Sequence, residues 1–101
     1  MLYESYEEFI DSEKGWRNHQ TWGAAQILIN GAPEVFEQVL EMNQQHPDLC
    51  DFAKALVDLV KDNDVLYDVM HDALDGLSGF MRVDWGQIAE HIRAKFPLQQ
   101  P

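Results

Sequence analysis

Basic residues are scarce in this sequence: seven Lys and Arg stand against 18 Asp and Glu, a formal net charge of −11 over 101 residues. Such an imbalance repels nucleic acid and anionic membrane surfaces and suits a basic partner, although solubility alone would reward the same charge. A single cysteine, Cys50, excludes an internal disulfide and fits a reducing compartment. No apolar run approaches the ~20 residues of a membrane span. The first eight residues, Met1 to Glu8, lack the positive charge and apolar run of a signal peptide, so the expected setting is soluble and cytoplasmic. Repeats, linkers and low-complexity runs are lacking too. Catalytic signatures are equally wanting: there is no Gly-rich phosphate loop, G-x-S-x-G, HExxH or cysteine pair, and Ser5, Ser12 and Ser78 have no neighbouring histidine. The expectation is a protein without catalytic residues or cofactor.

What the chain does have is apolar material, 46% of its residues and eleven aromatics, enough for one core. The stretch Asn18 to Gly31 organises it. Between Trp22 and Ile29 only Gln26 is polar, and a helix apolar all round is normally buried by its neighbours. Asn18 is a strong N-cap type, and Asn30-Gly31 reads as a left-handed stop. Gln26 to Ile29 followed by Asn-Gly also fits a strand entering a tight turn. No second alternating run exists to pair with such a strand, which favours the helix.

Around this element the periodicity predicts shorter amphipathic helices. Residues 3–13 carry Tyr3, Tyr6, Phe9 and Ile10 on one side, with Ser5 and Glu8 at capping-box spacing and Gly15 as terminator. Pro33 opens a helix over 33–45, and His46-Pro47 ends it. A third runs from Pro47 with Leu49, Phe52, Ala53, Leu56, Leu59 and Val60 as its buried stripe. Asp62-Asn63-Asp64 caps a helix over 64–75 burying Val65, Leu66, Val69, Met70, Ala73 and Leu74, which Gly76 closes. Residues 77–83 read as an irregular apolar loop folded onto the core. Asp84 and Gln87 then cap a last helix with Trp85, Ile88, Ala89, Ile92 and Phe96 on one stripe, stopped by Pro97. The predicted fold is a single all-α domain over residues 1–101: five or six short helices around a buried central one, with 97–101 a frayed tail.

The acidic faces are the most informative exposed feature. Asp64, Asp68, Asp72 and Asp75 follow i, i+4, i+8, i+11, one line along a helix with about 5–6 Å between successive members. That interval is near the spacing of phosphates on a nucleic-acid strand. Like charges four apart cost roughly a few tenths of a kcal/mol per pair, and no lysine lies among them. Glu34, Glu37 and Glu41 form a second acidic face. A solvated face more often mixes signs, as Asp51, Lys54, Asp58 and Lys61 do. Metal binding has weaker support. Asp62-Asn63-Asp64 starts like a calcium loop, but the glycine and closing glutamate are missing. His71 with Asp75, and Glu90-His91, do not form inward-pointing pairs, so no metal is expected. Cys50 is expected to be a small buried hydrophobe.

Two stretches resemble a family of small proteins carried by bacteriophages, plasmids and their hosts. Asn18-His19-Gln20-Thr21-Trp22 is similar to the N-[YH]-x-T-W opening of that family, and Val83 to His91 resembles its V-[DN]-W-x-x-I-A-E-H closing segment. The usual second tryptophan and Asn-Asp pair after the first motif are missing here. The family is largely of unknown function, so the resemblance implies a small helical domain and a mobile-element setting, and carries over no catalytic residue. The motif residues themselves read as structural: Asn18 as cap, Thr21 at N3, Trp22 and Trp85 as buried anchors against each other, His91 bonded across to the first motif. The expected function is a non-enzymatic acidic protein of a phage or mobile element. It would inhibit a basic host-defence protein or ribonucleoprotein complex, of anti-CRISPR or anti-restriction type, without contacting nucleic acid or membrane. The alternative is a helical interaction module, homodimeric through Phe80 and Met81.

Overall fold

A computed structural model describes residues 15–31, 33–74 and 76–98, and among these the chain is all-α, with no strand. The helices are α1 (His19–Asn30), α2 (Pro33–Gln45), α3 (Leu49–Asp62), α4 (Asp64–Ala73), α5 (Gly76–Phe80) and α6 (Trp85–Lys95). The helix expected over 3–13, with Ser5 and Glu8, lies outside the described residues.

Local chemistry sets most boundaries. Asn18, in extended backbone, accepts the Thr21 N–H at 2.8 Å and so starts α1. Asp48 accepts the N–H groups of Cys50 and Asp51 at 2.8 and 3.2 Å, Asn63 that of Leu66 at 3.1 Å, and Asp84 that of Gln87 at 3.0 Å. Four of the helices thus begin on a short polar side chain that satisfies an otherwise orphaned donor. The end of α1 differs from expectation. Gly31 keeps a right-handed conformation (φ −73°, ψ −44°) and donates to the Ile27 carbonyl at 3.0 Å. Pro33, which has no N–H to continue the ladder and is suited to a first helical position, begins the next helix instead.

Helix α1 packs on α2, α4 and α6, burying Thr21, Ala24, Ala25, Leu28 and Ile29. Residues 26–29 are helical, as the missing strand partner implied. The opposite wall is α3 lying along α6, with Phe52, Leu56 and Val60 meeting Ile88, Ala89 and Ile92 in the same core. The stretch expected to be an irregular loop is partly helical: α5 occupies Gly76–Phe80, and only Met81 and Arg82 form a turn. Two glycines make this possible. Gly76 takes φ +82°, reversing the chain after α4, and Gly79 presses on Leu74 so closely that an added Cβ would sit 1.4 Å from its carbonyl oxygen.

Candidate docking face

The two sequence motifs meet in space. Thr21, fully buried, donates its hydroxyl to Asn18 Oδ1 at 2.7 Å and accepts the Asp84 N–H at 2.9 Å. Asn18 Nδ2 donates to the Arg82 carbonyl at 3.0 Å. Gln87 does not fold back onto Asp84 as a capping box would; its side chain accepts the Arg17 N–H at 2.8 Å and donates to the Gly15 carbonyl at 3.0 Å. Arg17 completes the seam with an ion pair to Asp84 at 3.0 Å. The Gln87 N–H first, and Arg17 after it, hold the Asp84 carboxyl below the usual carboxylate range. Four hydrogen bonds and the ion pair thus run from residues 15–21 to residues 82–87, so the seam fastens α1 to α6.

The aromatic assignments need correction. Trp22 and Trp85 are both half-buried against the core, and Trp85 stacks on Phe80 with ring centroids 5.7 Å apart, not on Trp22. Trp16 is the buried indole, 8% exposed, and His91 reaches the N-terminal motif by stacking on it at 4.2 Å. Burial lowers the His91 pKa. Phe80 faces the core, 6% exposed, so the apolar pair expected with Met81 is reduced to Met81 alone. Cys50 is exposed, not buried, because it stands in the first turn of α3 on the side away from Phe52, Leu56 and Val60.

Helix α4 carries the acidic row. Its inner side buries Leu66 and Met70. Asp64, Asp68 and Asp72 are exposed on the outer side and make no ion pair among the described residues. Asp75 lies outside the described residues, so three members of the row are described, all on α4. Asp64 suits the positive N-terminal end of the helix, whereas Asp72 stands in the last turn, where a carboxylate is disfavoured. Glu34, Glu37 and Glu41 are all exposed on α2, the last accepting from Gln45 at 3.1 Å.

A feature missed in the sequence lies beside the row. Ala73 is exposed where burial was expected, and Val65 and Val69, also expected to be buried, are 74% and 48% exposed. With Ile27, Val35 and Leu66 they line an apolar groove of ≈ 400 Å³ where the end of α1 and the start of α2 meet α4. The periodic signal cannot separate them from core, since both sit only about one residue step from the Leu66 stripe. On the helical wheel the valine stripe falls between that core stripe and the aspartates. On the groove's other side, Val35 is followed outward by Glu34 and Glu41, which share a face at i, i+7. The groove's own lining is uncharged, and the wheel sets acid beyond each bank. A larger hollow of ≈ 500 Å³ between α2 and α3 is lined by Lys54 with Asp51, Asp58 and Asp62, so charges of both signs meet there.

Among the described residues no three His, Cys, Asp or Glu side chains gather to hold a metal ion. His71 is wedged between the rings of Tyr67 and Phe80 at 4.2 and 5.2 Å, with a buried Nε2 that has no hydrogen-bond partner there. No described helix is long and apolar enough to cross a membrane. Compared with protein-family models, curated proteins and solved structures, this chain matches none.

Proposed function

We propose that this chain is a non-enzymatic acidic binding protein of a phage or mobile element, acting in the cytoplasm. In this reading it occupies the nucleic-acid-binding surface of a basic host-defence protein or ribonucleoprotein. The observation that carries the reading is the row Asp64, Asp68 and Asp72, exposed, in line on one helix and in no ion pair among the described residues, in a chain of net charge −11. Steps of four residues set these carboxylates about 6 Å apart along the axis, an interval that cationic sites spaced for phosphates can accept. The resemblance of the two motifs to phage and plasmid proteins supports the setting, and the seam between them supports a structural role for Asn18, Thr21 and His91.

The test is a pull-down from bacterial lysate at low and high salt, with duplex DNA and structured RNA added as competitors. Charge capture weakens steeply with salt and yields to nucleic acid. The Asp68→Asn, Asp72→Asn double variant keeps the shape, removes two charges and should associate more slowly, with a shallower salt dependence. Retained binding at both salts, or indifference to both competitors, would discard mimicry.

A further inference from the structure

We infer that the groove beside the aspartate row is the seat for an amphipathic α-helix of the partner, bearing an apolar ridge with Lys or Arg along both edges. The inference rests on the acidic-binding reading above and specifies what that partner presents. Three observations select the occupant. The floor and valine bank are apolar, and Val65 is 74% exposed on a helix that buries Leu66 and Met70. Exposed valines at i, i+4 facing a concavity are what a ridge of leucine-sized side chains covers in helix-in-groove recognition. The helical wheel sets acid beyond each bank, Asp64, Asp68 and Asp72 past the valines of α4 and Glu34 and Glu41 past Val35 of α2, and the groove's own lining has neither acid nor base among the described residues. An occupant therefore meets carboxylates at both edges and must bring cations there.

The same features exclude competing occupants. An extended peptide adding to a sheet edge has no strand to join among the described residues. A second copy would set −11 against −11, and the chain's own first fourteen residues hold five acids and one lysine. A nucleic acid would meet carboxylates beyond both banks.

The decisive experiment uses the full chain and a fluorescent helical peptide built only of leucine and lysine, with leucines on one stripe. A scrambled peptide of identical composition and an oligolysine of equal charge serve as controls. Binding is read by anisotropy. The striped peptide should bind at least about tenfold more tightly than either control. The double variant Val65→Ser, Val69→Ser should lose about that tenfold while its weak binding of oligolysine is unchanged. Both valines are exposed, so the helical circular dichroism should be kept; if it is not, Val65→Ser alone, at the more exposed site, gives the same comparison. Equal affinity for striped and scrambled peptides, or no loss in the valine variants, overturns the groove. So does sedimentation showing a dimer that the valine variants dissolve. The two readings fail separately: loss with Asp68→Asn, Asp72→Asn but not with the valine changes leaves acidic capture standing without the groove. Loss with the valine changes alone leaves a groove whose neighbouring charge is incidental, and overturns the basic-edged occupant.

Discussion

Arg93 fastens one end of the molecule. Its guanidinium donates to Asn43 Oδ1 at 2.7 Å and to the carbonyls of Asn43, His46 and Pro47 at 3.0, 2.6 and 2.8 Å, while lying 5.6 Å over the Phe52 ring. It thereby satisfies acceptors at the C-terminal end of α2, where a cation is favoured by the helix dipole. Asn43, fully buried, in turn donates to the Phe96 carbonyl at 2.6 Å. Arg93→Ala would strand that buried amide oxygen, and urea unfolding should register a loss of about 2–4 kcal/mol, only partly recovered by Arg93→Lys, which lacks the fork. Neither residue stood out in the sequence, because Arg93 and Asn43 are fifty positions apart and nothing local requires either. His91 offers a second test. Burial against Trp16 lowers its pKa, Glu90 raises it in part and Lys95 lowers it further. Between the lowered folded value and the ordinary one near 6.5, the unfolded chain takes up a proton that the folded chain refuses. Stability is therefore complete above about pH 6.5 and falls as pH drops through that window. Urea midpoints at pH 7.5 and 5.5 should show the fall, and His91→Gln should reduce it.

At the scale of the element, the helices whose ends rest on local chemistry were legible. Asn18, Asp84 and the Asp62-Asn63-Asp64 cluster announce starts by side-chain chemistry within three residues, and Pro33 marks its helix for the same reason. Helix α5 was not legible, since a five-residue helix depends on the backbone of Gly79 seating against Leu74, a tertiary contact with no periodic signature. The tryptophans show a related limit. Each opens or precedes a helix, and which of them is covered depends on what lies across from it, so Trp16 took the buried place expected of Trp22 and Trp85. For the candidate site, the sequence exposed the charges and concealed the groove. Helix α4 also carries a stability prediction. Asp72 lies in its last turn, four residues after Asp68, so Asp72→Asn removes both a dipole conflict and a repulsion. The variant should be more stable by roughly 0.3–1 kcal/mol on chemical denaturation. A loss of stability instead would reveal a structural role for that carboxylate.

For the molecule as a whole, charge opposes compaction. With 18 acids and seven bases on one small domain, self-repulsion is long-ranged, and the Arg17–Asp84 ion pair is largely in solvent on the arginine side. At a net charge of −11, salt screens the many repulsions more than it weakens such exposed attractions. Raising KCl from 20 to 200 mM, which shortens the Debye length to below about 10 Å, should therefore raise the melting temperature by a few degrees. A fall would mean that attractive pairs dominate. The hydrogen bond from the Asp84 N–H to Thr21 has a different bearing, on time. It joins residues 63 positions apart, and it can form only after the chain between them has been brought to close a long loop. Helices α2 to α4, and with them most of the groove, lie inside that loop. The seam therefore closes around the helices that carry the groove. Seam residues such as Thr21 govern how long the finished molecule stays closed more than how quickly it first forms.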